Sequence, residues 1–159
     1  ENDDKASLYS VQMLYDMVYT EIGIPITFDY HHHKFNASDL SEEQALKLAS
    51  TTWPDDVRQC THYSESKRDE YRRLLEATCT HHNIPLDEIE SWPTFNEMAI
   101  NFNKTKVQAH SDYIINEIDT YGLDIDIVIE AKAKEQAILR YRDIYNSKEH
   151  ANMLIKKKF

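Results

Sequence analysis

Glycine is almost missing from this chain, with two residues among 159, and proline appears four times. Residues this rare act as punctuation, and Gly23 and Gly122 each stand immediately before an apolar run. Cysteine is as scarce. Cys60 and Cys79 have no Cys-x-x-Cys spacing, which argues against a zinc ribbon or a thiol redox motif. Two thiols without a framework fit a reducing compartment, as buried side chains, better than a secreted disulfide scaffold. No apolar run reaches eighteen residues and no charged-then-apolar leader opens the chain, so it is read as intracellular, neither secreted nor membrane-spanning. It opens on Glu1 rather than Met, and is read as processed, excised from something longer, or numbered from its first visible residue. Basic charge is short as well. With 18 Lys and Arg against 28 Asp and Glu, the formal charge of −10 argues against a general nucleic-acid binder with a net basic face. Clustered acids are, by contrast, what bound cations neutralise.

What is present gathers around Ile24-Pro25-Ile26-Thr27-Phe28-Asp29-Tyr30-His31-His32-His33, an apolar run ending in one carboxylate and three imidazoles. Such a run between turn signals predicts a buried strand over Ile24 to Asp29. In parallel α/β folds the chemistry lies beyond the C-terminal ends of the strands, and oxygen and imidazole ligands there suggest a divalent metal. In an extended chain Asp29, His31 and His33 share one face and His32 the other. For Asp29 and His32 to reach one site, the strand must end at about Tyr30.

Around this stretch the pattern is regular at first. Ser10 reads as an N-cap, with Val11, Leu14, Tyr15 and Val18 at helical spacing and Gly23 as the stop. Ser41-Glu42-Glu43-Gln44 has capping-box spacing and opens a second helix that Pro54 ends. Val57 to Ser64 is a candidate strand containing His62. From Ser66 to Val107 the rhythm breaks: Tyr71, Leu74, Leu75 and Cys79 predict an amphipathic helix with Lys67, Arg68, Arg72 and Arg73 on its wet side. Thr94-Phe95-Asn96-Glu97 is another candidate capping box, for a short helix through Ile100. The core resumes at His110 to Ile114. Leu123 to Glu130 alternates with period two and predicts a strand ending in a carboxylate; a helix over Ala131 to Asn146 and a solvated Lys156-Lys157-Lys158 tail follow. The chain thus divides into βα units over 1–65, a helical insertion over 66–107, and a final βα unit with the C-terminal helix over 108–159.

Three predicted strands carry polar endings: Asp29 with its histidines, His62, and Glu130. A lone histidine at a strand end is commonly a surface residue, and a basic helix side commonly just a solvated face. Repetition is what favours a site. With Glu1 and His110, six nitrogen and oxygen ligands would converge if the strands are parallel.

The order of several blocks carries a family resemblance. Glu1-Asn2-Asp3-Asp4-Lys5, Ile24-Pro25 through His32, Thr61-His62-Tyr63-Ser64, His110-Ser111-Asp112-Tyr113-Ile114 and Glu130-Ala131-Lys132-Ala133-Lys134-Glu135-Gln136-Ala137 resemble the UV damage endonucleases. The resemblance implies a TIM-barrel-type, xylose isomerase-like α/β fold, of which this chain would hold about the last four of eight units. An eight-stranded barrel takes roughly 250 residues, so an N-terminal half-barrel, from the same gene or a separate chain, is the expected partner. It further implies a nuclease that nicks UV-damaged double-stranded DNA 5′ to the photoproduct, with divalent metals, manganese first and zinc or magnesium as alternatives. Carried over by position, Glu1, Asp29, His32, His62, His110 and Glu130 would be metal ligands, and Glu1, Glu130 and Lys132 the catalytic groups. His31 and His33 would support the ligands or face DNA. Cys60 stands where the family has lysine. An endonuclease IV-like abasic-site enzyme, a sugar isomerase on the same barrel and a non-catalytic half-barrel remain alternatives, since sites decide function.

Overall fold

The computed structural model describes residues 1–156. Three short strands, β1 (Phe28–Asp29), β2 (Cys60–Tyr63) and β3 (Asp126–Ile129), form one parallel sheet in that order. Phe28 aligns with Thr61 and Asp29 with His62, while His62 aligns with Val128. Helices intervene between the strands, so the chain is α/β. Four βα units were expected; among the described residues three strands pair.

Each predicted strand is longer than the observed one, and for β1 competing partners explain why. Ile26 donates its N–H to Thr52 Oγ1 at 2.8 Å, and its carbonyl accepts from the Trp53 indole at 2.8 Å. Side chains thus occupy the backbone groups that a strand neighbour would use, and only Phe28 and Asp29 remain for the ladder. Around His110 the chain makes an isolated antiparallel bridge, Ser66 with His110, instead of a strand.

The first helix begins where Ser10 caps it, its hydroxyl accepting from the Met13 N–H. It runs through α1 (Val11–Leu14), a π-helical turn (Tyr15–Tyr19) and α2 (Thr20–Ile22), and Gly23 ends it at φ 69°. That left-handed conformation is the one glycine adopts without strain. Asp29 caps a single helical turn, α3 (Tyr30–His33). The Ser41 capping box forms in full and starts α4 (Glu42–Ser50). After β2 come α5 (Lys67–His82), a 3₁₀ turn (Leu86–Ser91) and α6 (Asn96–Lys104). Thr94 does not cap α6: Phe95 is its N-cap residue and makes no side-chain capping bond. The last helix, α7 (Glu135–Lys156), starts four residues later than predicted, after a turn in which Lys134 has φ 51°. Lys157 and Lys158 of the lysine run lie outside the described residues.

One face of the sheet is dry. Phe28, Tyr63, Ile127 and Ile129 pack there with Val11 of α1, Ala45, Leu46 and Ala49 of α4, and Ile114. Fully burying a side chain such as Leu46 or Phe28 contributes about 2 kcal/mol. Alternation sends Asp29, His62 and Val128 to the opposite face. There Arg58 pairs with Asp124 and Asp126 at 3.1 and 3.2 Å, and Val128 is 45% exposed. A second apolar cluster, of Leu75, Cys79, Ile89 and Ala99, lies within the 66–107 segment. The basic side of α5 is less wet than its sequence suggests. Arg68 and Arg72 stack on Phe102 and Arg73 pairs with buried Glu65, while Leu74 is half exposed. Cys60 and Cys79 are free thiols, Cys79 buried and Cys60 half-buried. No described helix is long and apolar enough to cross a membrane.

Candidate metal centre

The strand ends place acids and imidazoles at one rim. Asp29 closes β1 and turns the chain: its Oδ1 accepts the His32 N–H at 2.8 Å as the cap of α3. Its other oxygen, Oδ2, is buried with no hydrogen-bond partner among the described residues. His32 therefore swings to the Asp29 side, as a bend at Tyr30 requires, with its Nδ1 3.8 Å from that free oxygen. The same Nδ1 lies 2.8 Å from the Asn2 carbonyl. A proton on Nδ1 donated to that carbonyl leaves Nε2 with a lone pair for a ligand.

His62 comes from the neighbouring strand at the register of Asp29. Its Nδ1 is 2.7 Å from Glu1 Oε2 and 3.4 Å from Glu130 Oε1, yet it makes no hydrogen bond among the described residues. The ring nitrogen thus lies at ligand spacing from two carboxylate oxygens without being hydrogen-bonded to either. Glu130 directly follows β3 and is tied back by its N–H to the Tyr63 carbonyl at 2.9 Å. Its second oxygen is 3.6 Å from His110 Nδ1. Ligand atoms of Glu1, Asp29 and His32 lie within 4.8 Å of one another, and so do those of Asp29, His62 and Glu130. Asp29 belongs to both groups.

The electrostatics fit a cation. Burial pushes the Asp29 carboxyl above its usual range; the His32 amide and ring oppose the rise, and the Glu1 and Glu130 carboxylates add to it. For His32 burial works against the charged ring, but the Asn2 carbonyl and the Asp29, Glu1 and Asp4 carboxylates outweigh it and raise the pKa. The Glu1 and Glu130 carboxylates act on that of Asp29, and the three repel each other unless positive charge lies between them. Oxygen and imidazole donors in this mixture suit manganese, zinc or iron.

All six predicted ligands thus lie within one chain of contacts from Glu1 to His110. Lys132 lies at the exposed edge of this rim, its N–H donating to the Ser111 carbonyl at 2.9 Å. His31 and His33 are buried and do not face outward. Burial lowers His31 to about 4 despite its bond to the Gln108 carbonyl, and its ring meets that of His110 edge-on at 5.4 Å. His33 packs on Phe28, and burial lowers its pKa too.

Sequence reasoning missed two residues. Asn2 is fully buried; its amide donates to the Asp29 carbonyl at 3.0 Å and accepts from the Asp29 N–H at 2.8 Å, as a neighbouring strand would. Glu65 is buried beside the segment that carries His110. Neither residue type marks itself. A polar residue adjoining a predicted ligand or strand end was the available signal.

The family model described as UV-endonuclease UvdE matches residues 1–158. The chain is 30% identical over 142 residues to the UV DNA damage endonuclease of Bacillus pumilus (strain SAFR-032), a match that covers 88% of this chain and 35% of that protein. It therefore spans about a third of the length of that curated relative. Among solved structures it is similar to the crystal structure of SacUVDE, with a TM-score of 0.57 and 24% identity, covering 93% of this chain and 39% of that one. That likeness bears on the fold alone. The family match takes in every acid and imidazole of the rim, and the chain belongs to the UV-endonuclease UvdE family.

Proposed function

We propose that this chain is the ligand-rich C-terminal part of a metal-dependent repair endonuclease that incises DNA 5′ to UV photoproducts by phosphodiester hydrolysis. The observation that carries the reading is the pair of ligand groups that share Asp29, namely Glu1–Asp29–His32 and Asp29–His62–Glu130, together with a buried Asp29 oxygen that no hydrogen bond fills among the described residues. Glu1, Asp29, His32, His62, His110 and Glu130 hold divalent cations, manganese first. Bound there, such ions supply the Lewis acidity that activates water and offsets charge on the phosphate and the leaving oxygen.

The chain's own residues do the arranging. Asp29 and His32 are fixed by Asn2, so the deep side of the site is rigid. Glu1 and Glu130 are part-exposed and each offers two oxygens, which suits bridging ligands at the substrate side. Lys132, exposed next to Glu130, is the group for a DNA phosphate. Distorted DNA would be read by its deformability and by extrusion of damaged bases. The partner that the outer strand edges call for is an N-terminal half-barrel, from the same or another chain; the relative's greater length supports this.

The test is a nicking panel of photodimer, abasic and intact duplexes, with an aldose–ketose control, run with Mn²⁺. The chain joined to or mixed with an N-terminal half should cut photodimer DNA alone, and Glu130→Gln should abolish the cut. Cleavage of abasic DNA only would give the endonuclease IV-like reading. A complemented complex that binds Mn²⁺ but cuts nothing would leave a non-catalytic half-barrel.

A further inference from the structure

The segment that carries His110 forms no strand, and one buried carboxylate grips its backbone. Glu65 lies two residues beyond β2 and is 2% exposed. Its Oε1 accepts the N–H groups of both Ile115 and Asn116 at 2.8 Å, and its Oε2 accepts from the Arg73 guanidinium at 3.0 Å. Its main-chain carbonyl accepts the Ser111 N–H at 2.8 Å. On the next two residues the grip continues: Ser66 bridges His110, and the Lys67 N–H donates to the Ala109 carbonyl at 2.6 Å. Lys67 Nζ reaches Glu70 at 2.8 Å and Asp112 at 2.6 Å, and Glu70 accepts the Asp112 N–H at 3.0 Å.

A buried carboxylate is costly unless its lone pairs are filled, and here two amides and one guanidinium fill them. The two amides lie on the segment that carries His110, and the guanidinium lies on α5, just after β2. The peptide stretch that presents His62 therefore also fixes where His110 sits. We infer that Glu65 is a positioning residue of the metal centre, holding 109–116 against the end of β2 so that the His110 ring stays beside Glu130. This rests on the metal-centre reading above. Groups that orient ligands from outside typically carry about 10–100-fold in metal affinity.

The test uses the full chain and Glu65→Ala, Glu65→Gln, Glu65→Asp and, as a stability control, Leu75→Ala in the second cluster. Amide exchange at Ile115 and Asn116 and the His110 ring chemical shifts are read without metal; Mn²⁺ affinity and the visible spectrum of bound Co²⁺ are read with it. Glu65→Ala should speed exchange at both amides, shift the His110 ring signals, weaken Mn²⁺ at least about ten-fold and alter the Co²⁺ band. Glu65→Gln keeps one acceptor oxygen and should restore most of each. Leu75→Ala should leave the band unchanged. If Glu65→Ala does not fold, Glu65→Asp retains the bonding groups on a shorter arm and should still move the His110 signals and the band. Wild-type His110 signals, Mn²⁺ affinity and Co²⁺ band in the folded Ala or Asp variant would overturn the assignment. A wild-type chain that binds neither ion would instead defeat the metal-centre reading, while the metal-free His110 signals still decide the role of Glu65.

Discussion

Asp29 divides its two oxygens between structure and chemistry. One caps α3 through the His32 N–H, and the other is buried with no hydrogen-bond partner among the described residues. Asparagine can keep the cap while removing the charge. Asp29→Asn should therefore stabilise the metal-free chain by about 1 kcal/mol in thermal unfolding, while the shift that Mn²⁺ produces in the wild type disappears. A variant still stabilised by Mn²⁺ would refute the ligand assignment. Asn2 acts from the opposite side. Asn2→Ala strands the buried N–H and carbonyl of Asp29, and should cost about 2–3 kcal/mol in urea unfolding; a loss below 0.5 kcal/mol would mean that solvent or a shifted backbone replaces those bonds. The candidate acids and imidazoles were legible in the sequence because theirs are the residue types that ligate metals. Asn2 was not, since its importance comes from a backbone 27 positions away.

At the scale of elements, local signals succeeded where the bonds they imply are local. Ser41 and Gln44 are three residues apart and cap each other reciprocally. Thr94 has the same sequence spacing to Glu97, but the helix begins two residues beyond Thr94 and takes no side-chain cap. Ser41→Ala should thus cost about 1 kcal/mol, and Thr94→Ala should stay within about 0.5 kcal/mol. Denaturant melts of the two variants check the pair, and equal losses would mean that Thr94 caps after all. Strand lengths were misjudged because a ladder needs a neighbour. Thr52 and Trp53 take the backbone of Ile26. Nothing in the apolar pattern of Ile24 to Asp29 announces such competition.

For the whole molecule, the sheet is dry on one face and open on the other, and the candidate centre lies at its end. Crowded carboxylates at that end couple metal binding to stability, because a ligand held only by the folded state shifts the unfolding equilibrium. Mn²⁺ at a hundredfold excess over its dissociation constant should add about 2.7 kcal/mol, seen as a raised unfolding temperature that a chelator reverses. An unfolding temperature indifferent to Mn²⁺, zinc and magnesium would end the metal reading of Glu1, Asp29, His62 and Glu130 together.

Residue identity and short-range periodicity were enough to mark the longer helices, the α/β alternation and the candidate acids and imidazoles, because propensity, capping and ligand type act within a few positions. Register and burial decided the rest. They set Asp29 level with His62, turned His31 and His33 inward, left one Asp29 oxygen without a hydrogen bond among the described residues, and gave Glu65 a loop to hold. Those outcomes depend on which distant backbone groups meet, and that is settled only when the chain packs.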